Sequence, residues 1–431
     1  MMKKTVLLLL SLWLVLGSTC AAREIVVTSA GRQTIPLALT APLPLTGRDR
    51  LVQHNIQQLL RADLDLSGLF DFTAENAFLD DADHLGLTSV AVNFAQWRML
   101  GAQLLIKGAY QLDGERLLVK LRLFDVISRR MLTGHNYRGR VKDVRRMVHS
   151  FADQVMAAVT GKAGCFNTRI AFISDNSGHK ELYLAESDGY NPQRITNHGN
   201  LVLNPDFAPN GRELLFTSYK RGNPDLYRKQ LYGGHETLVA HYKGLNIAGR
   251  YRPDGGELAA TLSRDGNAEV YLLGTDGRIH QRLTNAWGID VDPSWNPDGD
   301  RIAFVSNRQG NPNIYIVDIL TARVSRLTYT GKYNATPAWS PDGKRIAFSR
   351  LENGTFNLYS IAADGSDERQ LTFGAGNKEH PRWSPDGRFI IYSNDISGKK
   401  QIYVMRADGS GHRRISRLNA NCSHPAWSRR W

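Results

Sequence analysis

The sequence predicts a mainly β protein, a six-bladed β-propeller preceded by a small α/β domain. Three observations carry this expectation. Six aromatic residues, Phe207, Tyr251, Trp295, Trp339, Trp383 and Trp427, recur at intervals of 44, inside segments running from NPDFAPNG to HPAWSRRW. A fixed period of that length marks a stacked or closed repeat. Residues 23–160 lack the period and mix helical with alternating patterns, as separate α/β layers do. Gly makes up about 9% of the chain, 39 of 431 residues, above the usual ~7%, which suits a turn-rich architecture.

The chain opens with an export signal. Lys3 and Lys4 precede an apolar run from Val6 to Leu16, and small residues follow through Ala21 and Ala22. A basic start, a short apolar core and small residues at the last and third-last positions place cleavage after Ala22. The run is too short for a spanning anchor. Lipid attachment at Cys20 would want an aliphatic residue three positions earlier, where Gly17 stands. The expected mature chain is therefore exported, without lipid and without a membrane span.

In the α/β domain, 23–160, Arg23 to Thr28 reads as a strand or as part of an extended arm over 23–33, and Thr34 to Leu39 as a strand. Asp49 to Leu66 carries Leu51, Ile56, Leu59, Leu60 and Leu64 at helical spacing. A second helix is expected near Phe94 to Leu100, then strands Leu104 to Tyr110, Leu117 to Phe124 and Met131 to Arg140. A last helix runs from Val144 to Thr160 and stops at Gly161. Lys162-Ala163-Gly164 reads as a linker to the propeller, 165–431.

One repeat unit shows how the blade arises. Thr336 to Ser340 is a short strand, and Pro341-Asp342-Gly343 a tight turn, in which Pro presets φ and Gly takes the positive φ that other residues resist. Arg345 to Ser349, Asn357 to Ile361 and Glu368 to Thr372 supply three more strands, and four short antiparallel strands per unit make a propeller blade. The last unit stops after its first strand, Ser423 to Ser428, and its three missing strands begin at Thr168. The chain's last strand therefore closes the ring against its first. In that register Cys165 and Cys422 lie near opposite ends of one strand, beyond the ~7 Å that a disulfide allows between Cα atoms, so both are expected as free thiols.

The formal charge of +13 falls to +11 without Lys3 and Lys4, with +4 in 23–164 and +7 in 165–431. A charge spread this evenly, in an exported chain, argues against a nucleic-acid partner. The densest basic stretch, Arg129, Arg130, Arg138, Arg140, Lys142, Arg145 and Arg146, is expected as a solvated surface. No Gly-x-Ser-x-Gly, His-Glu-x-x-His, P-loop or dinucleotide motif occurs, and no catalytic residue or cofactor is expected. Asp-Gly pairs beginning at Asp188, Asp276, Asp364 and Asp408 lack the further acids of a calcium loop and read as turns.

One ring of positions remains for function. Three residues before each aromatic stand Asn204, Ala248, Asp292, Thr336, His380 and His424, expected to open each inner strand around one mouth of the central channel. His380, His424 and Asp292 could ligate a metal, as His and carboxylates do in propeller lyases. They could equally cap their strand starts or touch a protein ligand.

The export signal, extended mature N-terminus, small α/β domain and WSPDG units, ending in HPAWS plus three residues, together resemble the TolB family of the Tol-Pal envelope system. The resemblance covers the whole mature chain and implies a non-enzymatic periplasmic adaptor, expected as a monomer. It implies binding of the peptidoglycan-associated lipoprotein Pal at the ring Asn204, Ala248, Asp292, Thr336, His380 and His424, and of TolA through Arg23, Glu24, Ile25, Val26, Val27 and Thr28. Other envelope lipoproteins are further expected partners, and outer-membrane invagination and cell division the expected process. Thr28 stands where the family often has an acidic residue. Two other readings stay open: an exported metal-dependent propeller enzyme acting on polysaccharide, and a TolB-like module with another partner.

Overall fold

Local sequence chemistry fixes the first helix before any packing is considered. The computed structural model describes residues 34–429; the signal, the arm and the last two residues lie outside them. Strands β1 (Ile35–Leu39) and β2 (Leu43–Pro44) lead into helix α1 (Arg50–Ser67). The Asp49 carboxylate accepts from the backbone N–H groups of Leu51 and Val52, and Gly68 ends the helix at φ 65°, a cap worth about 1 kcal/mol. Strand β3 (Phe70–Phe72), helix α2 (Phe94–Met99), strands β4 (Leu104–Asp113), β5 (Arg116–Asp125) and β6 (Arg130–Arg140), and helix α3 (Val144–Thr160) complete this layer. The sheet order is β3-β1-β4-β5-β6, with β2 beside β4. The sequence pattern omitted β2 and β3, two or three residues each and paired in parallel to distant strands, too short for alternation to register.

The sheet buries opposite faces differently. Leu117, Val119, Leu121 and Leu123 of β5 point toward α1 and α3, where Ile56, Leu60, Val148, Phe151 and Val155 meet them. On the other face Val92, Phe94 and Trp97 cover Leu105, Phe124 and Val126. Lys107 is buried on that side, donating to both the backbone oxygen and the carboxylate of Asp81.

Six four-stranded antiparallel sheets follow, blades I to V in chain order over 202–240, 246–282, 290–326, 334–370 and 378–414. Blade VI joins Cys422–Trp427 to Arg169–Ser174, Glu181–Glu186 and Gln193–Arg194, so the expected closure is the one observed. Each blade faces two neighbours, and period-2 alternation divides its side chains between them. Leu215 and Leu226 of blade I pack on Tyr251 and Leu258 of blade II, whereas Leu214 and Phe216 pack on Ala171 and Leu182 of blade VI. Outer strands are shorter than the pattern suggests; in blade IV only Arg369–Gln370 pairs.

The α/β layer and propeller form one compact unit from Thr34 onward. Their apolar cores are continuous, with Leu60, Val148 and Phe151 in the same cluster as Phe166, Ile170, Phe389 and Val404. Cys165 and Cys422 are both buried free thiols.

Candidate functional site

Each inner strand carries the same backbone irregularity. In blade I the register jumps from Leu203 opposite Thr217 to Asp206 opposite Leu215, leaving Asn204 and Pro205 unpaired. Blades II to VI repeat the jump at Ala248-Gly249, Asp292-Pro293, Thr336-Pro337, His380-Pro381 and His424-Pro425. In five of the six the second bulge residue is a proline, which lacks the N–H that a ladder needs, and in blade II it is Gly249, so a residue suited to a bulge recurs in every inner strand.

The six ring residues occupy the first bulge position at φ between 49° and 57°. Left-handed backbone favours Asn, Asp and His several-fold over other non-Gly residues, which accounts for four of the six identities. Thr336, a β-branched outlier there, is tied by its Oγ1 to Ser349 Oγ at 2.9 Å. The ring thus sits at the third residue of each six-residue inner strand, two residues deeper than expected. The signal missed in the sequence was the recurrent X-Pro pair.

Inside the channel the ring residues are half-buried, except the buried Ala248. His380 and His424, from adjacent blades, lie 3.9 Å apart between ring centroids. Burial, then the charge of the neighbouring imidazole and of Arg382, holds His380 well below the usual histidine range; burial and Lys400 bring His424 down to about 3. Asp292 is raised by burial against the pull of Arg250 and Arg382. Among the described residues the group of His and carboxylate donors close enough to share a metal is elsewhere, so Asp292 does not join the two imidazoles in a triad.

Two residues further along each strand a second ring, Asp206, Arg250, Ser294, Ala338, Arg382 and Ala426, faces a cavity of about 1050 Å³. Arg250 and Arg382 are three repeats apart, hence on opposite sides of a six-fold ring. Arg250 Nη1 donates to the carbonyls of Asn204 and Pro205 at 3.4 and 3.3 Å. Burial lowers Arg382 to about 9, helped by Arg250 and opposed by Asp206 and Asp292. This cavity opens at the Pro-Asp-Gly turns, beside Lys162 and Ala163, the side where the α/β layer sits.

The opposite, loop face bears exposed apolar side chains. Trp287, Tyr329 and Phe373 are 76%, 73% and 71% exposed, joined by Ile289, Tyr333 and Ile396. All but Ile396 belong to the loops that enter the inner strands of blades III to V. Ile396 follows Asn394, which pairs with the first residue of the blade V inner strand. Such a group around a channel mouth marks an interaction surface.

The sequence reading also missed a charged cluster where the layers meet. Arg145 of α3 places Nε 2.5 Å from Glu186 Oε2 and Nη2 2.5 Å from Asp188 Oδ2 in blade VI. His149, one turn on, sets Nδ1 2.7 Å from Asp63 Oδ2 in α1 and Nε2 3.6 Å from Glu186. Burial alone would depress His149, but Asp63, Glu186 and Asp188 together bring it up to about 10. His149, Glu186 and Asp188 have metal-ligand spacing. A protonated imidazole has no lone pair to give, however, and the Arg145 guanidinium already bridges both blade VI carboxylates.

A family model described as the TolB beta propeller domain matches residues 156–431, and one described as the TolB amino-terminal domain matches 23–132. The chain belongs to the TolB family. The "Tol-Pal system protein TolB" of Syntrophotalea carbinolica is 58% identical over 215 residues, 50% of each chain. That of Geobacter sulfurreducens is 44% identical over 189 residues, 44% of this chain and 43% of the other. The matches span about half the length of these curated relatives. The crystal structure of TolB from Acinetobacter baumannii superposes with a TM-score of 0.81 at 25% identity, covering 92% of this chain and 97% of that one. The propeller preceded by an α/β layer is thus the TolB architecture, and the chain is a Tol-Pal system protein. No helix among the described residues is long and apolar enough to cross a membrane.

Proposed function

We propose that this chain is a non-enzymatic periplasmic adaptor of the Tol-Pal system. It binds the lipoprotein Pal at the loop face of the propeller and TolA through Arg23, Glu24, Ile25, Val26, Val27 and Thr28, and serves outer-membrane invagination during cell division. The observation that carries the reading is the exposed group Trp287, Tyr329 and Phe373 around the channel mouth, beneath which the strained ring from Asn204 to His424 lies. Strained backbone and exposed aromatics in one place favour a binding role. Aromatic residues make the best interface anchors, and the ring residues below would supply polar contacts at the centre. An extended arm binds by strand addition, gaining backbone hydrogen bonds.

Site-specific photocrosslinking in cells tests this. Probes at Tyr329 and Phe373 should capture Pal, and a probe at Asp298 on the turn face should not. Deletion of 23–33 should release TolA while leaving Pal bound. Failure of every loop-face probe to capture Pal, with TolA still bound to the deletion variant, would overturn the adaptor reading.

A further inference from the structure

The α/β sheet leaves part of one face bare. Helices α1 and α3 cover one side, and residues 92–97 shield the other only over β4 and the far end of β5. Over the rest, Arg116, Leu118 and Lys120 of β5 stand opposite Arg140, Arg138 and Asn136 of β6. Arg122 continues the row. It faces Gly134, where an added Cβ would come within 2.5 Å of its side chain, so the absent side chain lets Arg122 lie across β6 and bond Asn136 Oδ1 at 2.7 Å.

Two features set this face apart from an ordinary solvated surface. Like charges directly opposite on paired strands, as Arg116 and Arg140 are, weaken a sheet. Among the described residues no carboxylate forms an ion pair with Arg116, Lys120, Arg122, Arg138 or Arg140; the nearby surface pair is Arg146–Asp143 at 4.0 Å. Three acids stand at the near end: Asp113, the last residue of β4, pairs across the sheet with Arg116, Glu115 lies in the β4–β5 turn, and the Asp143 carboxylate accepts from the backbone N–H of Arg140. The second feature lies at the far end of the same two strands. Asp125 Oδ1 accepts from the N–H groups of Ile127 and Ser128 and pins the β5–β6 turn. That turn holds out Ile127, 60% exposed, with Met131 and Leu132 at 41% and 42%, beside the exposed Arg129 and Arg130.

We infer that the outer face of β5 and β6 docks on a bilayer surface of anionic phospholipid. The aliphatic tip enters the headgroup boundary, and the arginine and lysine rows meet the phosphates. A soluble polyanion or an acidic peptide would engage the cations alone and leave Ile127, Met131 and Leu132 without a role. A lipid surface accommodates both chemistries at neighbouring depths.

Co-sedimentation of the purified protein with vesicles tests the inference. Vesicles of phosphatidylcholine should bind weakly, and vesicles in which phosphatidylglycerol replaces part of it should bind well, with the gain lost as salt rises. Arg138→Gln with Arg140→Gln should weaken binding by roughly 25-fold, about fivefold per cation. Ile127→Ser with Leu132→Ser should weaken it several-fold while leaving the salt dependence in place. Circular dichroism shows whether each variant remains folded. Equal binding to both vesicle types, or no effect of the arginine pair in folded protein, overturns the inference. So does binding to polyglutamate that both vesicle types fail to match and that the aliphatic substitutions leave unchanged, which would make the face a site for acidic protein.

Discussion

The imidazoles of His380 and His424 meet across neighbouring blades, 3.9 Å between centroids with their planes tilted by 34°, and both are held neutral by burial and by the cations around them. In the unfolded chain each would titrate near 6.5. Between that value and the depressed folded values the unfolded state binds more protons, so stability is full above about pH 6.5 and falls as pH drops. At about pH 5 the loss is up to ~2 kcal/mol per imidazole. Urea midpoints measured against pH should show this slope, and it should flatten in His380→Gln with His424→Gln. An unchanged slope in the double variant would count against neutral imidazoles.

His149 has the opposite sign. Its folded value is raised to about 10, so its stabilisation is complete below about 6.5 and disappears as pH rises through about 10. His149→Gln should cost about 3 kcal/mol at neutral pH, the scale for breaking a buried ion pair, and much less above pH 10. Thermal melts at both pH values check it; an equal cost at both would mean that packing, not charge, is what His149 supplies.

Gly277 shows why the Asp-Gly pairs are more than turns. An added Cβ would lie 1.7 Å from the carbonyl oxygen of Val239, at φ 85°. The outer turn of one blade thus rests on the outer strand of the blade before it. Gly277→Ala should cost several kcal/mol, through backbone displacement added to left-handed strain. Gly222→Ala, at φ 86° with nothing within 4 Å, should cost only about 1 kcal/mol. Similar denaturation midpoints for the two would refute the contact.

Trp427 joins the two ends of the fold, donating from Nε1 to Thr168 Oγ1 at 2.8 Å and stacking on Phe389. Trp427→Ala should destabilise by about 3 kcal/mol or more. Native-state hydrogen exchange should place the faster exchange in 169–174. Faster exchange confined to blades II and III would contradict the role given to Trp427.

The architecture was legible because its signal is redundant: six copies of one unit put Trp339, Tyr359 and Gly343 in phase with their counterparts, and no single substitution hides the period. The helix over 144–160 was equally plain, with Gly161 as its stop. Two kinds of feature escaped, one with no repeated signal and one whose repeated signal was not read. The Asp63, Arg145, His149, Glu186 and Asp188 cluster draws on three separate elements, so no local pattern records it. The ring residues were correctly singled out, but their left-handed backbone was not, because simple strand alternation hides a bulge unless the proline after it is read as a missing donor. Arg145 was grouped with a surface stretch, yet it lies in the interface, while Arg138 and Arg140 lie on the open face.

The pairing of Cys422–Trp427 with Arg169–Ser174 brings together residues some 250 positions apart, the longest loop closure in the propeller. Contacts so distant in sequence slow folding, since the chain's entropy must be surrendered before they form. Until the closing strand arrives, Arg169–Ser174 is an unpaired edge, open to any other extended chain. The time between emergence of blade VI's first-made strands and arrival of its last is therefore the interval in which this protein is most exposed to misassembly, and the one in which a chaperone would have most effect.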